Sequence, residues 1–134
     1  MKFTCDQCKQ FADGMVQRMN IIASKHEPRL LFTLPTARSA EGHFTDRLHE
    51  RFNSDESLRT IRGMLVEIAT DHVPKIVKLV QQESRVLFNF HYNSFIIAMS
   101  ASNGVCQLRT AMIGYGTSRE KVHKIALLRV NVLR

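Results

Sequence analysis

Phe11, Met15, Met19 and Ile22 recur at helical spacing through residues 6–24, so the chain begins with an amphipathic helix whose Met/Phe stripe faces a core. Pro28 ends any continuation. The apolar run at 30–34 has the length of a short edge strand, and PTARSAEG at 35–42 has the Pro, Ser and Gly content of a loop. Residues 42–52 then carry two adjacent stripes. Phe44, Leu48 and Phe52 form an apolar one, while His43, Arg47 and Arg51 follow one another at steps of four. Residues four apart stack along a helix, so this polar ridge lies at the border of the buried face. The spacing predicts Phe44, Leu48 and Phe52 in the core, with His43 and Arg47 lining a cleft that faces a sheet.

Asn53 and Ser54 supply an N-cap, and Asp55 and Glu56 suit the positive end of the helix that follows. Leu58, Ile61, Leu65 and Ile68 carry that helix to about residue 70, where Pro74 is expected to interrupt or restart it. Periodicity leaves KIVKLVQQ open between helix and strand. After Glu83 the period changes to two. Val86, Phe88 and Phe90 share one face of 85–91, and runs at 95–101 and 105–113 follow. The links Tyr92-Asn93-Ser94 and Ser102-Asn103-Gly104 are short and have turn chemistry, which predicts an antiparallel meander. Ser118 can cap a further helix to about Leu127, and the alternating RVNVLR can add a strand. The expected fold class is α+β: N-terminal helices packed on a C-terminal antiparallel β-meander, in a single domain over 1–134.

A chain of 134 residues with 44% hydrophobic and 23% charged residues is long enough, and apolar enough, to bury a core without a disulfide framework. Its net charge of +7 and its pI near 9.8 favour polyanionic partners, nucleic acid first and anionic membrane surface second. The surplus is uneven, with Arg119, Lys121, Lys124, Arg129 and Arg134 set against Glu120 alone in residues 115–134. Three cysteines, an odd number, and an opening too polar for a secretory segment lead to a cytoplasmic expectation. No apolar run reaches the roughly 18 residues that cross a bilayer.

Cys5-x-x-Cys8 is half of a zinc site, but Cys106 is remote in sequence and His26 has no partner histidine three to five residues away. Two cysteines at a helix start, one of them buried, are therefore expected, with no metal and no cofactor. A redox role is disfavoured because the motif does not follow a strand in a βαβ unit. Walker, HExxH and GxSxG motifs are absent, which sets aside the common nucleotide, zinc and serine hydrolases. The histidines and arginines remain. His43 shares its ridge with two arginines, His91 stands near the end of an expected strand, and Arg109 lies within another. Cleavage of RNA by its own 2′-hydroxyl needs a base, an acid and cations for the pentacovalent phosphate, and no metal. On sequence alone, a surface histidine beside arginines is more often a solvated or phosphate-positioning face.

The order of elements from residue 42 to about 124 resembles the RelE-like group of small RNA-cleaving toxins, and within it the RegB-like phage endoribonucleases. The resemblance rests on H-x-x-x-R-x-x-x-R at His43, Arg47 and Arg51, on Asp71-His72-Val73 at the end of the next helix, and on CQLRTAMI from Cys106 to Ile113. It implies a metal-independent endoribonuclease that leaves a 2′,3′-cyclic phosphate, with His43 matching a catalytic histidine and Arg47 the arginine one turn on. With it, Arg47 and Arg109 are expected to neutralise the scissile phosphate and His91 to complement His43. Arg51, Arg119, Lys121 and Lys124 are expected to hold flanking phosphates. The RegB-like pattern has a second functional histidine where ungapped counting reaches Gly63 here, so His91 or His72 has to supply that proton carrier or the activity is lost. The expected partner is RNA, mRNA with or without the ribosome, together with an antitoxin or a host protein. Two alternatives stand beside this reading: a nucleic-acid-binding protein without catalysis, and an inhibitor that docks its basic tail on a host protein.

Overall fold

Helix α1, Cys5–Ala23, starts at a complete capping box: the Thr4 hydroxyl accepts from the Gln7 N–H, and the Gln7 side chain accepts from the Thr4 N–H. Its buried stripe is Cys8, Ala12, Met15, Met19 and Ala23, while Phe11 and Ile22 are half-buried at the margin. The expected stripe is rotated toward small residues, because alanines let α1 approach its neighbours closely while Phe11 reaches in from the side. The computed structural model describes residues 2–35, 43–82, 85–92, 95–113 and 130–132.

Strand β1, Leu31–Thr33, is followed by α2, Phe44–Arg51, and α3, Asp55–Glu67. Ser54 caps α3 through a bond from the Ser57 N–H, with Asp55 and Glu56 in the first turn as expected. The chain does not break before Pro74. A π-helical turn, Ile68–His72, leads directly into α4, Val73–Gln82, so KIVKLVQQ is helical. A proline inside a helix removes one N–H donor and crowds the carbonyl four residues back. Widening the turn just before it accommodates both effects without ending the helix.

Strands β2 (Val86–Tyr92), β3 (Phe95–Ser102) and β4 (Val105–Ile113) form the expected antiparallel meander. Asn103 and Gly104 link β3 to β4 with φ of 51° and 79°, the two positive values of a type I′ turn. The sheet is wider than the meander. β5, Val130–Val132, pairs antiparallel with β2, and β1 pairs parallel with β4, giving the order β1-β4-β3-β2-β5. Asn20 of α1 finishes the outer edge of β1. Its Nδ2 donates to the Phe32 carbonyl at 3.0 Å and its Oδ1 accepts from the Phe32 N–H at 2.7 Å. The helices cover one face of the sheet, where Phe88, Phe90, Ile97, Met99, Leu108 and Ala111 join the core with Phe44, Leu48, Phe52, Ile61 and Leu65. The predicted loop residues 36–42, the link at 93–94 and the tail helix at 118–127 lie outside the described residues. Among the described residues, no helix is long and apolar enough to cross a membrane.

Candidate nucleic-acid interface along the α2–β4 edge

β1 accompanies β4 only as far as Gln107. Beyond that point the outer edge of β4 is lined by α2, which packs on β4 and α1 and buries Phe44 and Leu48 completely. The β3–β4 register explains where α2 attaches. Ala98 faces Thr110 while Met99 faces Leu108, so Arg109 is the extra residue of a β-bulge. Its carbonyl accepts the His43 N–H at 2.6 Å, and two residues on the Ala111 carbonyl accepts a long 3.5 Å bond from Arg51 Nη1. The polar edge that β1 leaves uncovered is thus partly satisfied by the two ends of α2.

The predicted ridge changes at its first member. His43 has φ −138° and ψ 43° and stands at the N-cap, outside the helix, with its carbonyl accepting the Arg47 N–H at 2.9 Å. Its side chain is 50% exposed, with Nδ1 3.8 Å from the Asp46 carboxylate. Arg47 turns along α2 to Glu50, Nη1 to Oε2 at 2.6 Å, so part of its charge is already matched within the helix. Arg51, expected to hold a flanking phosphate, reaches the Ala111 carbonyl of β4. Phe44, Leu48 and Phe52 are buried as predicted.

Arg109 and His91 stand on the sheet face turned away from the core, because Leu108, Ala111 and Phe90 occupy the other face. Their backbones are not adjacent. The register aligns His91 with Ile96 and Met112, two ladders and three residues from Arg109. At about 4.8 Å per ladder and 3.4 Å per residue, their backbones are roughly 14 Å apart. The structure therefore joins His43 to Arg109 through the backbone, brings Arg51 to the same edge, and leaves His91 apart. Arg119, Lys121 and Lys124 lie outside the described residues.

The two other positions considered for the second proton carrier are elsewhere. Gly63 is exposed on α3, in a cleft with Arg59, Thr60, Glu67 and Tyr92. His72 is 8% exposed, with Nε2 3.4 Å from the Glu67 carboxylate and its ring 5.4 Å from that of Phe90, the surroundings of a satisfied core histidine.

Sequence reasoning missed one contact altogether. Cys5 Sγ lies 3.3 Å from His49 Nδ1, joining the start of α1 to α2 across 44 residues of sequence. No local pattern announces a pairing over that distance, although Cys5 itself stood out in Cys5-x-x-Cys8. Cys8 and Cys106 are fully buried, and burial pushes both thiols up from their ordinary value, with Cys5 adding to the shift at Cys8. Among the described residues, no three His, Cys, Asp or Glu side chains converge on a metal position.

Compared with protein-family models, with curated proteins and with solved structures, the chain finds no match in any of the three.

Proposed function

We propose that the α2–β4 edge is an RNA-phosphate surface on which His43 supplies a proton carrier for metal-independent endoribonucleolytic cleavage, in the cytoplasm. The observation that carries this reading is the hydrogen bond from the His43 N–H to the carbonyl of the bulged Arg109. It ties the backbone of His43, whose imidazole is half-exposed, to the strand segment that carries Arg109. In such a site the 2′-hydroxyl gives up its proton, attacks the adjacent phosphorus and forms a 2′,3′-cyclic phosphate as the 5′-oxygen departs with a proton. Arg109 and Arg51 would neutralise the phosphate, and Asp46 would orient the His43 ring. A positioned acid or base contributes about 10²- to 10⁴-fold to such a step. The basic surplus of the chain, much of it in residues 115–134, supports attraction to RNA.

Binding without cleavage is the second reading, and two observations favour it. His91 stands two ladders from β4, and Arg47 is engaged by Glu50. Incubation of the protein and of His43→Ala with labelled RNA in EDTA separates the readings. Cyclic phosphate ends made by the parent and lost in the variant support the nuclease. Intact RNA that is nonetheless bound, with affinity falling on Arg51→Ala or on charge reversal at Lys121 and Lys124, supports the binder. Absence of both cutting and binding at low salt rejects the surface.

A further inference from the structure

We infer that Cys5 and His49 form a thiol–disulfide exchange site, taking low-molecular-weight disulfides of the glutathione disulfide class. The site is a contact between two elements. Cys5 is the first residue of α1, and the ring of His49 comes from α2 to place Nδ1 3.3 Å from the sulfur. Cys5 is exposed and, with His49, lines an open cleft of about 330 Å³ to which Lys9, Asp6, Asp46 and Glu50 also contribute. That space admits a small disulfide to the sulfur, while His49 stands where a proton acceptor is required. The thiolate is the attacking species in exchange, so a base in hydrogen-bond contact with the thiol can take its proton as the sulfur attacks.

The step balances with the small disulfide as oxidant. The Cys5 S–H proton passes to His49 Nδ1, and the Cys5 sulfur bonds to one sulfur of the disulfide. The disulfide bond breaks, and the departing thiolate takes a proton back from the imidazolium. The product is a mixed disulfide on Cys5 and one free small thiol. The other two cysteines are internal controls, since Cys8 and Cys106 are both 0% exposed. Cys8 lies one helical turn from Cys5, but its thiol is buried away from the cleft, so the expected product is an adduct and not a Cys5–Cys8 bridge.

The test is exchange with glutathione disulfide on the folded full-length chain, followed by intact mass and peptide mapping. One adduct per chain, on Cys5, is expected, and none in Cys5→Ser. His49→Gln should slow adduct formation at neutral pH by about three- to tenfold, because only a few per cent of an unassisted thiol is ionised there. Near pH 10, where thiols ionise without help, the two rates should converge. A rate gap of the same size at both pH values would show that His49 shapes access and does not accept a proton, and would overturn the assignment. So would adducts spread over all three cysteines, or a Cys5–Cys8 disulfide with no adduct. The melting temperature of His49→Gln, measured alongside, verifies that the folded chain is being compared.

Discussion

Asn20 offers the sharpest test of how the sheet edge is held. Its carboxamide makes both available bonds to one residue of β1, the 2.7 Å bond from the Phe32 N–H and the 3.0 Å bond to the Phe32 carbonyl. These Phe32 groups point away from β4, because the neighbouring Leu31 N–H is the one bonded toward it, to the Gly104 carbonyl at 2.9 Å. Asn20→Ala leaves both Phe32 groups without this partner in a part-buried position. An unsatisfied buried group costs about 1–3 kcal/mol, and partial access of water brings the pair to about 2–4 kcal/mol. For a chain of this length, that is a fall in Tm of roughly 6–16 °C. Asn20→Asp keeps the acceptor but sets a carboxylate oxygen against the Phe32 carbonyl, so it should destabilise as well, through one bond and not both. Urea unfolding of the three proteins gives the free energies, and amide exchange at Phe32 reports the bond directly. A loss below about 0.5 kcal/mol for Asn20→Ala, with Phe32 still protected, would refute the claim that the side chain closes this edge.

Gly63→Ala should stabilise the protein by about 0.5–1 kcal/mol, read as a higher urea midpoint, since the glycine is exposed within α3 and a Cβ there meets nothing within 4 Å. Alkaline stability should depend on Cys106. Burial raises its thiol above the ordinary value of 9.0, so above that pH the unfolded chain releases a proton that the folded chain retains. Stability is intact below pH 9.0 and then falls with a slope of up to about 1.4 kcal/mol per pH unit for this thiol. Cys106→Ala should lower stability at pH 7 by leaving a small cavity, yet flatten the decline between pH 9 and 11. An unchanged slope in urea titrations across that range would contradict the assignment.

The elements that could be read from sequence are those whose signal is local. Alternation through Val86, Phe88 and Phe90 marked β2, and Asn103-Gly104 marked a turn whose two positive φ values other residues resist. Phe44, Leu48 and Phe52 gave the buried side of α2 correctly. What stayed hidden depends on parts of the chain meeting late. The parallel pairing of β1 with β4 joins residues more than seventy positions apart, and Cys5 meets His49 only because α1 packs across α2. The passage through Pro74 was hidden for another reason, since a proline marks a lost bond without saying whether a widened turn will absorb it.

The bulge at Arg109 stands between these cases and shapes the candidate site. Cys106 and Leu108 keep period two, but the next core residue is Ala111, one position late. An extra residue has to be absorbed for Ala111 to return to the core, and Arg109 is the one that the β3–β4 register passes over. The same displacement accompanies an Arg109 carbonyl that turns to the open edge of β4, where it receives the N–H of His43. A local break in alternation therefore accompanies the docking of α2 and marks the strand residue whose carbonyl holds the His43 backbone. Deleting Arg109 should restore continuous β3–β4 pairing and remove the His43 attachment together. If the edge holds phosphate as proposed, RNA affinity measured at low salt should fall further on this deletion than in Arg109→Ala, which removes the guanidinium but keeps the bulge.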